Sequence, residues 1–325
     1  MTEARLQAFA PDGLPEISAG ADLAGLVAKH TELRDGDVVA VTSKVVAKAE
    51  GRVRPGPRED AVAGETARVV ARRGPVLIVR THHGLTMAAA GIDASNVASG
   101  TVVLLPVDPD ASARSLRERL RHLTGANVAV IVTDTAGRAW REGQTDMAIG
   151  AAGITPLEDF VGRVDAHGNE LAVTRPAVAD ELAGAAELVQ GKLHGRPVAV
   201  LRGRADLVLP PGEHGPGARA LVRDDTSDMF GYGAREAVVR ALAGQPGDRA
   251  PFGAPAAPED LAAALVQAPG VREVVPSEDD ASAHVLADTP AGVAVAAICF
   301  AFGWQVDTID DTTAGIAVRV SPVTT

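Results

Sequence analysis

The chain has a single cysteine, Cys299, in 325 residues. An intrachain disulfide and a cysteine cluster for a metal are therefore excluded. The scarcity fits a reducing compartment, and a cytoplasmic protein is expected. Aromatic residues make up only 3% of the chain, so the core has to be built from Ala, Val, Leu and Ile. Positive charge is also outweighed: 31 Lys and Arg against 42 Asp and Glu give a formal charge of −11. That argues against general affinity for nucleic acid, which needs many cations to neutralise phosphates. A local basic pocket for a nucleotide stays open. The longest apolar run, Ala291 to Trp304, is 14 residues and contains two glycines. It is short for a bilayer span and reads as a buried helix, so no membrane partner is expected. The N-terminal sequence lacks the basic start and apolar stretch of a signal peptide. There is no GxxxxGK[ST] or GxGxxG motif, so a nucleotide bound here is held without a P-loop.

What is present is an alternation of short apolar runs and amphipathic stretches. Helices are expected over Asp22–His30, Glu65–Arg73, Ser112–Leu123 and Pro176–Leu193, and strands over Asp37–Val41, Val76–Val79, Asn127–Thr133 and Pro197–Leu201. Ser112 would cap its helix. The pattern predicts an α+β (mixed α/β) fold. Gly244–Pro258 is rich in Gly, Pro and Ala and reads as a linker. It separates a catalytic body, residues 1–243, from a small C-terminal α/β domain, residues 259–325, that reads as helix, two strands, helix, two strands.

Four segments carry candidate chemistry. In the first, the apolar run Val128–Val132 ends in Thr133-Asp134-Thr135, followed by what reads as a loop with Arg138 and Arg141. An acid just past a strand's carboxyl end is well placed to hold a metal, and the guanidinium forks suit its anion. A solvated strand end is the plainer alternative. In the second, VTSKVVAKAEGR, Lys44 and Lys48 are four apart and share one face. On spacing alone a solvated basic face is preferred for this pair. Ser43 either caps a helix or touches a phosphate. In the third, AAAGIDASNV presents Asp93 and Asn96 on a turn, and Asp93 with Asp134 could share Mg²⁺ or Mn²⁺. In the fourth, LLPVDPDASA, Asp110 or Ser112 caps the following helix. Asp180 and Glu181 read as structural or exposed, and the adjacent His82 and His83 diverge.

Together with Leu14-Pro15-Glu16-Ile17, VTDTAGRAWREGQTDMAIGAAGI, DAHGNEL and VADELAGAAELVQGK, these segments resemble the coenzyme F420-0:L-glutamate ligases, also called F420 γ-glutamyl ligases. The matching stretches run in order over roughly residues 8–240. The resemblance implies a dimeric cytoplasmic ligase that uses GTP and two divalent ions, Mg²⁺ or Mn²⁺, with K⁺ as a further candidate. It would join L-glutamate to the deazaflavin precursor F420-0 through an acyl phosphate, then add further γ-linked glutamates. Carried over by position, Leu14, Pro15, Glu16, Ile17, Ser43, Lys48 and Asn96 would bind GTP. Asp93, Asp134 and Thr135 would hold the metals, and Lys48 and Arg138 would neutralise charge during phosphoryl transfer. A nucleotide- or F420-binding regulator, or an amide ligase for another carboxylate, are the alternatives. Two departures stand out. Lys192 occupies a position, just after Gly191, where some members of the family carry a glutamine or an acid near the metals. The 67 residues after the linker are too few for the flavin-binding domain of two-domain members, so no FMN is expected.

Overall fold

Short apolar runs become strands and amphipathic stretches become helices in the computed structural model, which describes residues 4–95, 97–277 and 282–323. The chain divides into two units. One comprises Met1–Val69 and Val76–Val222, the other Val70–Pro75 and Arg223–Thr325. The mixture of helices and sheets is the expected α+β class.

In chain order the first unit contains β1 (Gln7–Phe9), α1 (Leu23–His30), β2 (Val38–Thr42), α2 (Ser43–Ala49), β3 (Val53–Pro55), α3 (Arg58–Glu65), β4 (Thr66–Arg73, which passes into the second unit), β5 (Val76–Thr81), β6 (Thr86–Ala88), β7 (Thr101–Val103), α4 (Pro109–Thr124), β8 (Ala129–Arg138), β9 (Arg141–Ala152), α5 (Val178–Gln190) and β10 (Val198–Arg202). Five strands form the central sheet in the order β1-β10-β2-β8-β9. Only β2 and β8 run parallel, with Val38 opposite Ala129 and Thr42 opposite Thr133. Because side chains alternate along a strand, the two faces feed two cores. Val39, Val41, Val128, Val130 and Val132 pack with Val27, Leu116 and Leu120 of α1 and α4. Val38, Ala40, Ala129 and Ile131 pack with Val178, Leu182 and Ala186 of α5. No aromatic side chain is among the fully buried members of these two cores.

Three local readings are corrected. Glu65–Arg73 is not a helix: the helix ends at Glu65 and Thr66–Arg73 is a strand. The β-branched Thr66, Val69 and Val70 favour extended backbone, and Gly74, at φ +58, turns the chain into β5. Ser112 and Asp110 do not cap α4. Its N-cap is Asp108, whose carboxylate accepts from Ala111 N at 3.0 Å, with Pro109 opening the helix. The chain after Thr135 is not a loop: β8 continues to Arg138 and turns into β9 as a hairpin.

The second unit contains α6 (Ala234–Ala243), α7 (Pro258–Leu265), β11 (Val271–Pro276), β12 (Ala283–Ala287), α8 (Gly292–Ala301), β13 (Trp304–Thr312) and β14 (Gly315–Pro322). From α7 onward the order is the helix, two strands, helix, two strands read from sequence. The strands form an antiparallel sheet, β11-β12-β14-β13. The core gathers Leu261, Leu265, Val285, Val295, Cys299, Trp304 and Val318, which gives the apolar run Ala291–Trp304 its burial. Residues 223–243, placed with the catalytic body on sequence, belong to this unit. The stretch 244–258 contains two 3-10 turns, Pro246–Asp248 and Ala250–Phe252. Among the described residues, no helix is long and apolar enough to cross a membrane.

Candidate functional site

The parallel pairing of β2 with β8 ends where Thr42 lies opposite Thr133, so the site opens at the carboxyl end of β2, the place where α/β sheets collect ligands, while β8 continues past it. Ser43 follows Thr42 and Asp134 follows Thr133, so the two meet: Ser43 Oγ donates to Asp134 Oδ1 at 2.8 Å. Ser43 therefore neither caps its helix nor faces solvent. A break in the β8–β9 register at Val132/Thr133 marks a bulge at this point, a common device for re-aiming side chains beside a site. Beyond it, Thr135 lies opposite Asp146, and its hydroxyl donates to Asp146 Oδ1 at 2.6 Å.

Asp93 is delivered by a tight turn. Ala89, Ala90 and Gly91 all have positive φ, a conformation that glycine adopts without the Cβ penalty and that a β-branched or bulky residue in place of either alanine would adopt least readily. Ile92 is thereby driven into the small core with Val62, Val79 and Val102, and Asp93 exchanges two backbone hydrogen bonds with Val103. Its carboxylate accepts from Ser95 N at 2.7 Å and Ser95 Oγ at 2.9 Å. It pairs with Lys44 Nζ at 2.5 Å. Lys48, buried in α2, pairs with the exposed Glu16. The two lysines are thus partnered inside a site, which corrects the reading of a solvated basic face.

All of these groups line one cleft of about 1240 Å³ in the first unit. Leu14, Pro15, Glu16 and Ile17 form one wall, with Ser43, Lys44 and Lys48 beside them. Asp93, Asp134 and Thr135 lie in the same lining. Arg138 does not: it is exposed on the hairpin, where its nearest partner is Glu142 O at 3.5 Å. Asn96 lies outside the described residues. Sequence reasoning missed Asp146, Glu187 and Gln190, which also line the cleft. Asp146 was findable from the hairpin register, once Thr135 is seen to need a cross-strand partner.

The electrostatics separate the acids. Loss of water around half-buried Asp134 pushes its pKa up to about 6. The Ser43 hydroxyl and Thr135 N–H oppose that rise, while the charges of Asp146 and Asp93 add to it. Burial works against ionisation of Asp93 too, but there the Lys44 ammonium and the Ser95 hydrogen bonds win and hold its pKa below the usual range. Lys192 reaches in from the end of α5. Most of its side chain faces solvent, yet its ammonium donates to Thr135 Oγ1 at 2.8 Å and meets Glu187 at 2.7 Å and Asp146 at 3.4 Å. Burial would lower its pKa, but Glu187 and Asp146 raise it.

Whether these residues fit a divalent metal can be judged from the donors. Among the described residues no group of three or more His, Cys, Asp or Glu side chains is placed to hold an ion. Asp93 and Asp134 are two hard carboxylates on one cleft. That is a fitting set for a Mg²⁺-type ion, which takes one or two carboxylates and completes its shell with substrate phosphates and water. The Thr133 hydroxyl and both ends of the Gln190 amide are buried in the same lining with no partner among the described residues, as expected where a polar ligand or water completes the site. At Thr135 and Asp146, by contrast, an ammonium already stands.

Elsewhere the acids are structural. Asp180 accepts from Ala148 N at 2.8 Å, and Asp110 from Ala151 N at 2.8 Å and Ala218 N at 2.7 Å. His82 and His83 point to different carbonyls, of Gly64 and Pro106.

The stretch that carries the cleft is similar to known proteins. Residues 13–203 match the family model for F420-0:Gamma-glutamyl ligase. The chain is 42% identical over 219 residues to the coenzyme F420:L-glutamate ligase of Archaeoglobus fulgidus, covering 61% of this chain and 88% of that one. It is 41% identical over 239 residues to the coenzyme F420:L-glutamate ligase of Methanopyrus kandleri, covering 66% and 93%. With the protein of the same description from Halobacterium salinarum it shares 43% over 223 residues, 61% of this chain and 87% of that one. The matched region contains every residue of the cleft, and the chain belongs to the F420-0:gamma-glutamyl ligase family.

Proposed function

We propose that the first unit is a GTP-dependent ligase that joins L-glutamate to coenzyme F420-0 and then adds further γ-linked glutamates. The observation that carries this reading is the convergence of Asp93, Asp134, Ser43 and Lys48 in one cleft inside the region matched by the family. The relatives' descriptions supply the substrates. The cleft is larger than the roughly 300–1000 Å³ usual for one small ligand, which suits a nucleotide together with an acceptor.

A carboxylate does not condense with an amine in water unless it is activated. In the proposed reaction an oxygen of the F420-0 carboxylate attacks the γ-phosphorus of GTP. The bond to the β–γ bridging oxygen breaks, and GDP leaves. The glutamate amine then attacks the acyl carbon, the amide forms, and inorganic phosphate departs with the carboxylate oxygen. The amine proton passes to solvent or to a cleft carboxylate. The protein's work is alignment and charge neutralisation. Lys48 would face the phosphates once Glu16 yields it, and Asp93 and Asp134 would hold a divalent ion, which supplies charge compensation on the phosphates. Arg138 could contribute only if the hairpin brings it over the cleft.

The test follows the oxygen. With ¹⁸O in the F420-0 carboxylate, label is expected in the released phosphate, in step with the glutamyl product. Product without label in phosphate would rule out the acyl phosphate, and no product at all would rule out the ligase.

A further inference from the structure

The cleft contains two acidic groupings on opposite faces of β8. Asp134 faces Ser43 and the α2 side. Thr135, one residue on, faces the other way, towards Asp146, Glu187 and Lys192. The second grouping already contains a cation. An ammonium has three donors, and the three oxygens around Lys192 Nζ, on Thr135, Glu187 and Asp146, lie at 2.7–3.4 Å.

We propose that the Lys192 ammonium serves as a built-in second cation, so that this cleft takes one divalent ion, at Asp93 and Asp134, and excludes another from Thr135 and Asp146. The proposal rests on the ligase reading for the identity of the site, but its argument is geometric. A Mg²⁺-type ion bonds oxygen at about 2.0–2.1 Å and tolerates little distortion of its shell. To use Thr135 Oγ1 and Asp146 Oδ1 it would have to displace the ammonium that those same oxygens hold, whereas at the first grouping Asp134 is met by the Ser43 hydroxyl rather than by an ammonium, and the Lys44 ammonium on Asp93 is shared with Ser95. Thr135 has also committed its proton to Asp146. Asp146 is only 3% exposed, and a buried carboxylate needs a compensating charge. Lys192 supplies it from within the chain. Glu187, in the last turn of α5, fixes the ammonium of Lys192, which lies just past the helix, from the other side. The consequence is a site whose second positive charge cannot be removed by a chelator and does not depend on metal supply.

The experiment counts ions. The full-length protein, stripped with a chelator, is titrated with Mn²⁺ and the free ion is read by EPR, with and without a non-hydrolysable GTP analogue. One Mn²⁺ per chain is expected in the wild type with the analogue, and one in Lys192→Arg. Two are expected in Lys192→Gln, with a signal broadened by the neighbouring spin. Two Mn²⁺ or none in the wild type overturns the proposal, and that count requires no variant to fold. One Mn²⁺ in a Lys192→Gln protein with native circular dichroism also overturns it, because the ammonium would then not be what excludes the second ion. The ligase reading is judged separately by product mass. One ion without glutamyl product leaves the count standing and sinks the ligase. Two ions with product does the reverse.

Discussion

Asp134 is a residue whose charge costs stability where it sits. Its folded pKa of about 6 lies above the ordinary value of 3.8. A raised carboxyl means that the folded state holds its proton more tightly than the unfolded chain. The contribution of this one group to stability is therefore greatest below pH 4, falls as pH rises from about 4 to about 6, and stays reduced above. The full difference is at most about 3 kcal/mol. In metal-free buffer, Asp134→Asn should be more stable than the wild type at pH 7, lose that advantage as pH falls towards 4, and form no product. Urea titrations across that pH range check the prediction; a variant less stable at every pH contradicts it. Lys48 is the second residue on which the account leans. Lys48→Ala removes a charged hydrogen-bond donor worth about 1.5–3 kcal/mol, and calorimetric titration with GTP should show weaker binding by one to two orders of magnitude. At this scale the sequence was informative: the acids and lysines that meet in the cleft stand in recognisable segments. What it could not supply was their partners. Ser43 meets Asp134 across 91 residues and Lys192 meets Thr135 across 57, and no local pattern encodes such pairings.

Elements place these residues by how closely they pack. Gly150 in β9 is an example: a Cβ there would lie 2.3 Å from the carbonyl oxygen of Pro109. That backbone opens α4 and cannot yield without moving the helix. Gly150→Ala should cost about 1–3 kcal/mol, read as a lower urea midpoint with an unchanged slope. An unchanged midpoint would show that the α4–β9 approach is softer than described. Elements were legible where periodicity was strong, as for the helices begun at Asp22 and Pro176 and the strand Asn127–Thr133. The reading failed at Glu65–Arg73, where helical spacing of apolar residues competed with β-branching and a downstream Gly-Pro turn. It failed again after Thr135, because a hairpin arm of Gly, Arg and polar residues looks like a loop until its return strand pairs with it.

On the scale of the whole molecule, the chain concentrates its few aromatics in the second unit, where Phe252 meets Tyr232 at a tilt and Phe300 edge-on and Trp304 is buried with its Nε1 donating to Ala256 O at 2.9 Å. A cut after Gly247 would separate α6 from α8, which pack together, so a point substitution is the better probe of this unit. Trp304→Ala should destabilise it by about 3–5 kcal/mol, visible as a lowered calorimetric transition, while the rate of the first glutamate addition stays unchanged. Loss of that activity in a protein whose first unit remains folded would make the second unit part of the catalyst. The purified protein is expected to carry no FMN, and a stoichiometric flavin absorbance band would contradict that. The division at Val222 was not legible in sequence because the Gly/Pro-rich stretch 244–258 is the stronger compositional signal, although it folds as turns within the second unit.

The central claim is that the cleft joins glutamate to F420-0 at the expense of GTP. Its most direct measurement is the mass of the products after the full-length protein is incubated with F420-0, L-glutamate, GTP and Mn²⁺, beside Asp134→Asn and a chelated control. The account predicts F420-0 extended by one or more glutamyl residues, with one GDP and one phosphate per addition, in the wild type alone. Unmodified F420-0 in the presence of bound nucleotide and metal, or equal extension by Asp134→Asn, would contradict it.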